Sequence, residues 1–473
     1  MLFTSPIFLC LFLPVLFAVY VLVAPTFRIH VLLAASLFFY SWGEPKAVFI
    51  MTTLIIITWI AGNLIAETTK QKNKNIFITL GICTNLLALF TYKYLNFFIE
   101  NINFLGFNIN DPKLPLPIGI SFYTFQAISY LVDVYRRTIK PSKSFINFAT
   151  YISLFPQLVM GPIIRFKFIQ NSFKDRKINL NNIFYGLQRF IMGFGKKILI
   201  ADTMAIIADT IFSSPAESIP FLISWLGALA FLLQLYYDFS GYSDMAIGLG
   251  RMFNFRFPEN FKYPYSAISI QDFWFRWHIS LTSFFRNYLH RPLAIKLKRL
   301  KFHPIFTKYF LLFLTTICIG LWHGAAWNFV FLGVFIALAH GLSMLFLRSR
   351  NGMINLKNFK IVLNIFFVFT LLPIGMVVFR SSSLRYAFNY LKIMITGNSN
   401  YSLASFSRAL DFISITNGIT LVIAIVLCYP VMAKIRIKYR NHPLWLCLLF
   451  IIFFLSFAIS STKTLIPFLY FKF

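Results

Sequence analysis

Acidic side chains are scarce in this chain: 14 Asp and Glu in 473 residues against 44 Lys and Arg, a formal net charge of +30. Charged residues of both signs make up only 12%, too few to coat a soluble domain of this length. Cysteine is scarce as well. Cys10, Cys83, Cys318, Cys428 and Cys447 lie in apolar stretches without metal-ligand spacing, so packing is their expected role, with no disulfide and no structural zinc. An internal repeat, a low-complexity linker and a soluble domain are also missing; the longest polar passage, around Asn398 to Arg408, is only a loop. No G-x-S-x-G elbow, Walker loop or dinucleotide glycine pattern occurs in a strand-helix context, which leaves soluble hydrolase and ATPase readings without support.

Apolar surface is abundant. Hydrophobic residues make up 58% of the chain and Phe alone occurs 60 times, more than one water-soluble core could hide. Apolar stretches near membrane-span length recur at roughly 5–27, 47–66, 76–98, 117–135, 183–212, 219–237, 306–347, 361–379, 417–433 and 443–460. With 306–347 divided in two, these predict an all-α polytopic membrane protein of about eleven spans plus re-entrant or interfacial helices. The first stretch lacks a basic leader and a small-residue cleavage site, so it reads as a retained span. Basic residues gather in short loops at Lys70–Lys74, Arg136–Lys143, Arg165–Lys177, Arg286–Lys301, Arg348–Lys360 and Lys434–Arg440, which places those loops in the cytoplasm. Membrane lipid headgroups are the expected partners of this charge. A nucleic-acid partner is not expected, because the basic runs are scattered between spans and form no single face.

The middle of the chain departs from this pattern. Gln234 to Leu293 is apolar enough for membrane depth, yet carries Asp238, Asp244, Arg251, Arg256, Glu259, Asp272, Arg276, His278 and Arg286. Charge at membrane depth costs a few kcal/mol per residue, so such groups pair or line a wet cavity. Pro258 and Pro264 break any single helix there, which predicts a re-entrant or interfacial segment followed by an amphipathic helix over about Gln271–His290. On that helix Phe273, Trp277, Ser280 and Phe284 share one face, and Asp272, Arg276 and Ser283 another.

A second unusual place is Gly320-Leu-Trp-His-Gly-Ala-Ala-Trp-Asn328, where Trp322 and His323 sit in an apolar stretch between two glycines. Glycine lets a helix or a ligand come close. A buried neutral imidazole suits a general base, and equally a hydrogen bond between helices; spacing alone leaves both open. His278 reads as a second active-site group or a polar anchor. His340, seventeen residues past His323, would lie about 25 Å away on a continuous helix and reads as structural. His30, His290, His303 and His442 adjoin loops or span ends.

The passage Asp238–Leu293 resembles the bacterial membrane-bound O-acyltransferase (MBOAT) family. So do Pro115-Leu-Pro-Ile-Gly-Ile-Ser-Phe-Tyr-Thr-Phe-Gln126, Phe155-Pro-Gln157, Gly161-Pro162, Ser41-Trp-Gly-Glu-Pro45 and Gly320–Asn328. The nearest likeness is to its alginate and peptidoglycan O-acetyltransferase branch. The resemblance runs from about Leu37 to His340 and implies one integral-membrane domain over 1–473, with a motif core at about 37–340 and C-terminal helices and an aromatic tail at 361–473. It implies helices around a central funnel or tunnel, His323 as catalytic histidine and His278 as second motif histidine. Trp322, Arg276, Asp272, Asp238, Tyr123, Gln126 and Asn287 are then expected to line the tunnel or meet the donor. Where the family reads Arg-Asp-Tyr and a Gly-Gly turn, this chain has Arg286-Asn287-Tyr288 and His290-Arg-Pro-Leu-Ala294. An Asn cannot take a proton as a carboxylate does.

The tail Pro467-Phe-Leu-Tyr-Phe-Lys-Phe473 resembles the aromatic tail of alginate-type members, in which a tyrosine is thought to carry the acyl group. Tyr470 is the matching residue, and a phenol with pKa near 10 is easier to deprotonate than an alkyl alcohol. An interfacial aromatic belt is the other reading of the tail. The resemblance further implies acetyl-CoA as donor substrate with no bound cofactor, drawn by Arg286, Arg291, Lys296, Lys298, Arg299 and Lys301. It also implies a periplasmic esterase-like O-acetyltransferase partner, and residence in the bacterial inner membrane. The expected reaction is acetyl transfer for O-acetylation of an envelope glycan, peptidoglycan first and alginate or another exopolysaccharide second. D-alanyl transfer to teichoic acids is the alternative within the family, a transporter or flippase the alternative outside it.

Overall fold

The computed structural model of the protein describes residues 1–174, 176–349, 366–397, 414–462 and 466–469. Among the described residues the regular elements are all helices. Six are long and apolar enough to cross a membrane: Ala47–Glu67, Gln71–Phe104, Phe221–Met252, Pro304–His323, Trp327–Met344 and Pro443–Thr462. Phe8–Leu22 and Ile415–Leu427 are apolar but shorter. The stretch at 117–135 is a helix of another kind. Ile120–Tyr135 buries fourteen of its sixteen residues in protein, as a core helix does. The stretch at 183–212 carries Arg189, Lys196, Lys197, Asp202 and Asp209 along Leu180–Gly195, a π-helical turn at Lys196–Ala201, and Asp202–Phe212.

Two features differ from the sequence-based expectation. Gln234–Met252 forms no separate re-entrant segment, because it continues the helix Phe221–Met252, which is long and apolar enough to cross a membrane. Gln271–His290 is not one helix: Ile270–Arg276 and Ile279–Phe285 are separate, followed by a π-helical turn at Arg286–His290. The break falls at His278, whose φ of 41° and ψ of 55° lie in the left-handed region, a conformation uncommon outside glycine.

The chain resolves into two compact units: Met1–Met192 with Tyr242–Glu259 and Phe457–Pro467, and Gly193–Gly241 with Asn260–Ser456 and Phe468–Phe473. In the first, Arg165 grips Asp133 through both Nε and Nη2, at 3.2 and 2.9 Å. Arg189 reaches both Asp244 and Glu259 at 2.6 Å, which accounts for two of the acidic residues that the sequence places at membrane depth. A ring cluster of Phe3, Phe8, Phe39, Phe155 and Tyr242 fills the same unit.

In the second unit the helices Pro304–His323 and Trp327–Ser349 form an antiparallel hairpin. Its packing requires glycine. A Cβ at Gly320 would collide with the Phe329 carbonyl, and one at Gly333 would stand 2.7 Å from the Ile317 Cα and the Thr316 carbonyl. The turn at 324–326 also corrects the continuous-helix placement of His340. That residue lies beside Gly341, which faces the Tyr309 ring, so it sits toward the opposite end of the hairpin from His323.

Candidate active site

His323 ends its helix because the chain turns extended at Gly324, with φ −171° and ψ 151°. A Cβ on Gly324 would collide with the Phe329 ring, so the motif's second glycine leaves room for an aromatic neighbour. The far side of the turn is tied down by Asn328, whose Nδ2 donates to the Ser381 carbonyl at 2.7 Å. Phe379 stands edge-on to His323, with ring centroids 5.2 Å apart. The imidazole is half-buried.

Trp322 is buried and meets two imidazoles. Its ring centroid is 4.9 Å from His323 and 5.4 Å from His278, at steep angles to both. The left-handed turn at His278 aims its side chain inward, where it is only 1% exposed. Its Nδ1 lies 3.2 Å from Asn260 Oδ1. The same oxygen accepts from the Ser280 backbone N–H at 3.1 Å and from Ser280 Oγ at 2.8 Å. An amide oxygen has no proton to give, so this network assigns the hydrogen to Nδ1 and leaves the lone pair on Nε2. That atom is buried and has no hydrogen-bond partner among the described residues. Phe239 closes the other side at 4.6 Å. His278 lies outside the six long apolar helices, and burial, joined by the charge of a protonated His323, holds its pKa well below the ordinary imidazole value.

His323 also lines an apolar cavity of about 60 Å³, with Phe273, Trp277, Leu332, Met376 and Phe379 among its walls. Among the described residues no Asp, Glu, Lys or Arg lines it. The Tyr265 hydroxyl in its wall is committed to the Leu232 carbonyl at 3.1 Å. Such a volume holds a handful of heavy atoms, on the order of four to six water-sized spheres.

The membrane-bound O-acyltransferase family model matches residues 37–382. The chain belongs to that family. A probable alginate O-acetylase of Pseudomonas syringae is 41% identical over 397 residues, covering 82% of this chain and 74% of that protein. A peptidoglycan O-acetyltransferase of Helicobacter pylori is 33% identical over 501 aligned positions, covering 98% and 90%. A teichoic acid D-alanyltransferase of Bacillus subtilis is 28% identical over 230, covering 47% and 57%. The chain is therefore a multi-pass membrane O-acyltransferase.

Of the residues that the sequence nominates in this MBOAT chain, the structure brings His278, Trp322 and His323 together. Asp238 sits deep in the same unit, held by Lys197 Nζ at 2.6 Å. Asp272 and Arg276 pair with each other at 2.8 Å, and neither lines the His323 cavity, although Phe273, Trp274 and Trp277 beside them do. Asn287 accepts from Arg291 at 3.2 Å. Tyr123 and Gln126 belong to the first unit, where both are buried and the Gln126 side-chain amide has no hydrogen-bond partner among the described residues. Tyr470 lies outside the described residues, as do Asn398–Arg408 and the stretch from 361 to 365. Sequence reasoning missed Asn260, Ser280, Phe379 and the Lys197–Asp202 pair; a lysine inside an apolar stretch was a readable signal for the last.

Proposed function

We propose that this acyltransferase moves acetyl groups from cytoplasmic acetyl-CoA across the bacterial inner membrane for O-acetylation of an envelope glycan. Peptidoglycan is the first choice of acceptor and alginate or another exopolysaccharide the second. The observation that carries the reading is His323 in the wall of a charge-free cavity of about 60 Å³. That space is enough for the three heavy atoms of an acetyl group. The names of the relatives support O-acetyl chemistry on both polymers.

In this reading His323 takes the proton from the Tyr470 phenol. The phenolate oxygen attacks the thioester carbonyl, the C–S bond breaks, and the imidazolium returns the proton to the departing thiolate. The tyrosyl ester then passes its acetyl group to a hydroxyl acceptor, and a periplasmic esterase-like partner places it on the glycan. Arg291, Lys296, Lys298 and Arg299 lie on the basic helix Arg291–Arg299, which precedes the His323 helix and supports the docking of an anionic donor there. The Pro304–His323 helix is about 28 Å long at 1.5 Å per residue, so the donor's reactive end works far along it from its phosphates.

The test is complementation in a strain lacking its own enzyme, with glycan O-acetyl content as readout. The parent restores O-acetylation and His323→Ala does not; equal O-acetylation by a well-expressed His323→Ala protein contradicts the proposal.

A further inference from the structure

The second unit holds a charged cluster that the chemistry above does not use. Lys197 and Asp238 are each 1% exposed. The π-helical turn Lys196–Ala201 returns the Asp202 backbone N–H to the Lys197 carbonyl, an i to i+5 step that stacks the two side chains on one face. Lys197 Nζ meets Asp202 Oδ1 at 2.8 Å and Asp238 Oδ1 at 2.6 Å. It also stands 4.7 Å from the centroid of the Phe468 ring, in cation–π range.

The other carboxylate oxygen of Asp238 is engaged differently: Oδ2 accepts the backbone N–H of Leu469 at 2.9 Å. One buried carboxylate therefore ties Lys197 to the backbone of Leu469. Phe468 is 0% exposed and Leu469 5%, so these two residues are seated in protein. A salt bridge serving helix packing alone would be complete with Lys197, Asp202 and Asp238; the backbone of the tail and its aromatic ring complete this one. The residue after Asp238 is Phe239, whose ring stands 4.6 Å from that of His278. The anchor of the tail and the wall of the histidine pocket are thus consecutive residues of one helix.

We propose that Lys197 and Asp238 form a clasp that seats the C-terminal tail in its working position, which makes them positioning residues for Tyr470. The proposal rests on the reading of Tyr470 as acyl carrier. The clasp holds the amide of the residue covalently next to Tyr470, so it bounds where the phenol can reach. It uses the Leu469 backbone N–H and the Phe468 ring.

The test changes one atom group. Leu469 is replaced in the full-length protein by its α-hydroxy analogue, which turns the amide into an ester and removes the N–H while leaving both charges and every side chain in place. Carboxypeptidase trimming past Tyr470, followed by mass spectrometry in detergent, reads whether the tail is seated. Acetyl loading from labelled acetyl-CoA reads its use. Loss of one hydrogen bond to a charged acceptor is expected to speed trimming roughly tenfold and to lower the loading rate by a similar factor, with KM for the donor unchanged. Lys197→Arg keeps the charge and is expected to preserve both readouts. The triple variant Lys197→Met, Asp202→Asn, Asp238→Leu removes the lysine together with both carboxylates that it pairs and is expected to free the tail while remaining folded. An ester form trimmed no faster than the parent, with Tyr470→Phe inactive, overturns the clasp alone. A freed tail with undiminished transfer overturns the carrier reading and the positioning role with it.

Discussion

The imidazole of His278 meets the indole of Trp322 at 69°, ring centroids 5.4 Å apart, and the same indole meets His323 at 74° and 4.9 Å. One rigid ring therefore touches both histidines. In the proposed reaction His323 is the base, so His323→Ala is expected to lower kcat by about 10² to 10⁴. Trp322→Phe keeps a flat ring and is expected to cost no more than about tenfold. Steady-state rates with acetyl-CoA and a soluble hydroxyl acceptor check both, and a Trp322→Phe loss as deep as that of His323→Ala would show that the indole does more than pack against the two imidazoles.

The buried His278 makes stability pH-dependent in a definite direction. Its folded pKa is lowered from 6.5 by burial first and by His323 second, so the unfolded chain binds the proton more readily. The group costs nothing above about pH 6.5 and destabilises the fold increasingly as the pH falls toward its folded value. Asn tolerates the left-handed backbone here, so His278→Asn is the suitable control. Thermal unfolding in detergent at pH 7.5 and pH 5 is expected to show a larger loss of melting temperature in the parent than in the variant. Parallel curves would contradict this.

In the proposed reaction the cavity limits the length of the acyl group. Met376 and Leu332 line it together with His323, and trimming either to Ala enlarges the space by a few methylene volumes. Met376→Ala is expected to raise the rate with propionyl-CoA or butyryl-CoA relative to acetyl-CoA by about 10-fold, the scale of one or two methylenes in an apolar pocket. Competition between the donors measures the ratio, and an unchanged ratio would place the acyl group elsewhere.

In the first unit, Arg189 depends on two carboxylates. The Asp244 side chain is 8% exposed and that of Glu259 39%. Asp244→Asn leaves a buried guanidinium short of charge and is expected to cost about 3–5 kcal/mol. Glu259→Gln sits nearer solvent and is expected to cost about 1 kcal/mol or less. Melting temperatures should fall in that order.

The broad fold was legible because its signals are strong and local. Long apolar stretches such as 47–66 and 443–460 became membrane-length helices, and the glycines flanking His323 became its close contacts. The charges around Asp238 and Asp244 were expected to pair or to line a wet cavity, and these two carboxylates pair. What the sequence hid depends on contacts distant in the chain. The partner of Asp238 lies 41 residues away at Lys197 and that of Asp244 lies 55 away at Arg189, and no periodicity joins them. The amphipathic pattern over Gln271–His290 suits one helix, yet the pull of Asn260 and Ser280 on His278 breaks it. Local pattern cannot announce a turn whose cause is a residue eighteen positions earlier.

The most direct test of the acetyl relay is to incubate the purified protein with isotopically labelled acetyl-CoA and locate the label by mass spectrometry in the parent, Tyr470→Phe and His323→Ala forms. The account predicts label on Tyr470 in the parent and none in either variant. A partner-complemented, active enzyme that never labels and tolerates Tyr470→Phe would contradict it and leave direct transfer at His323.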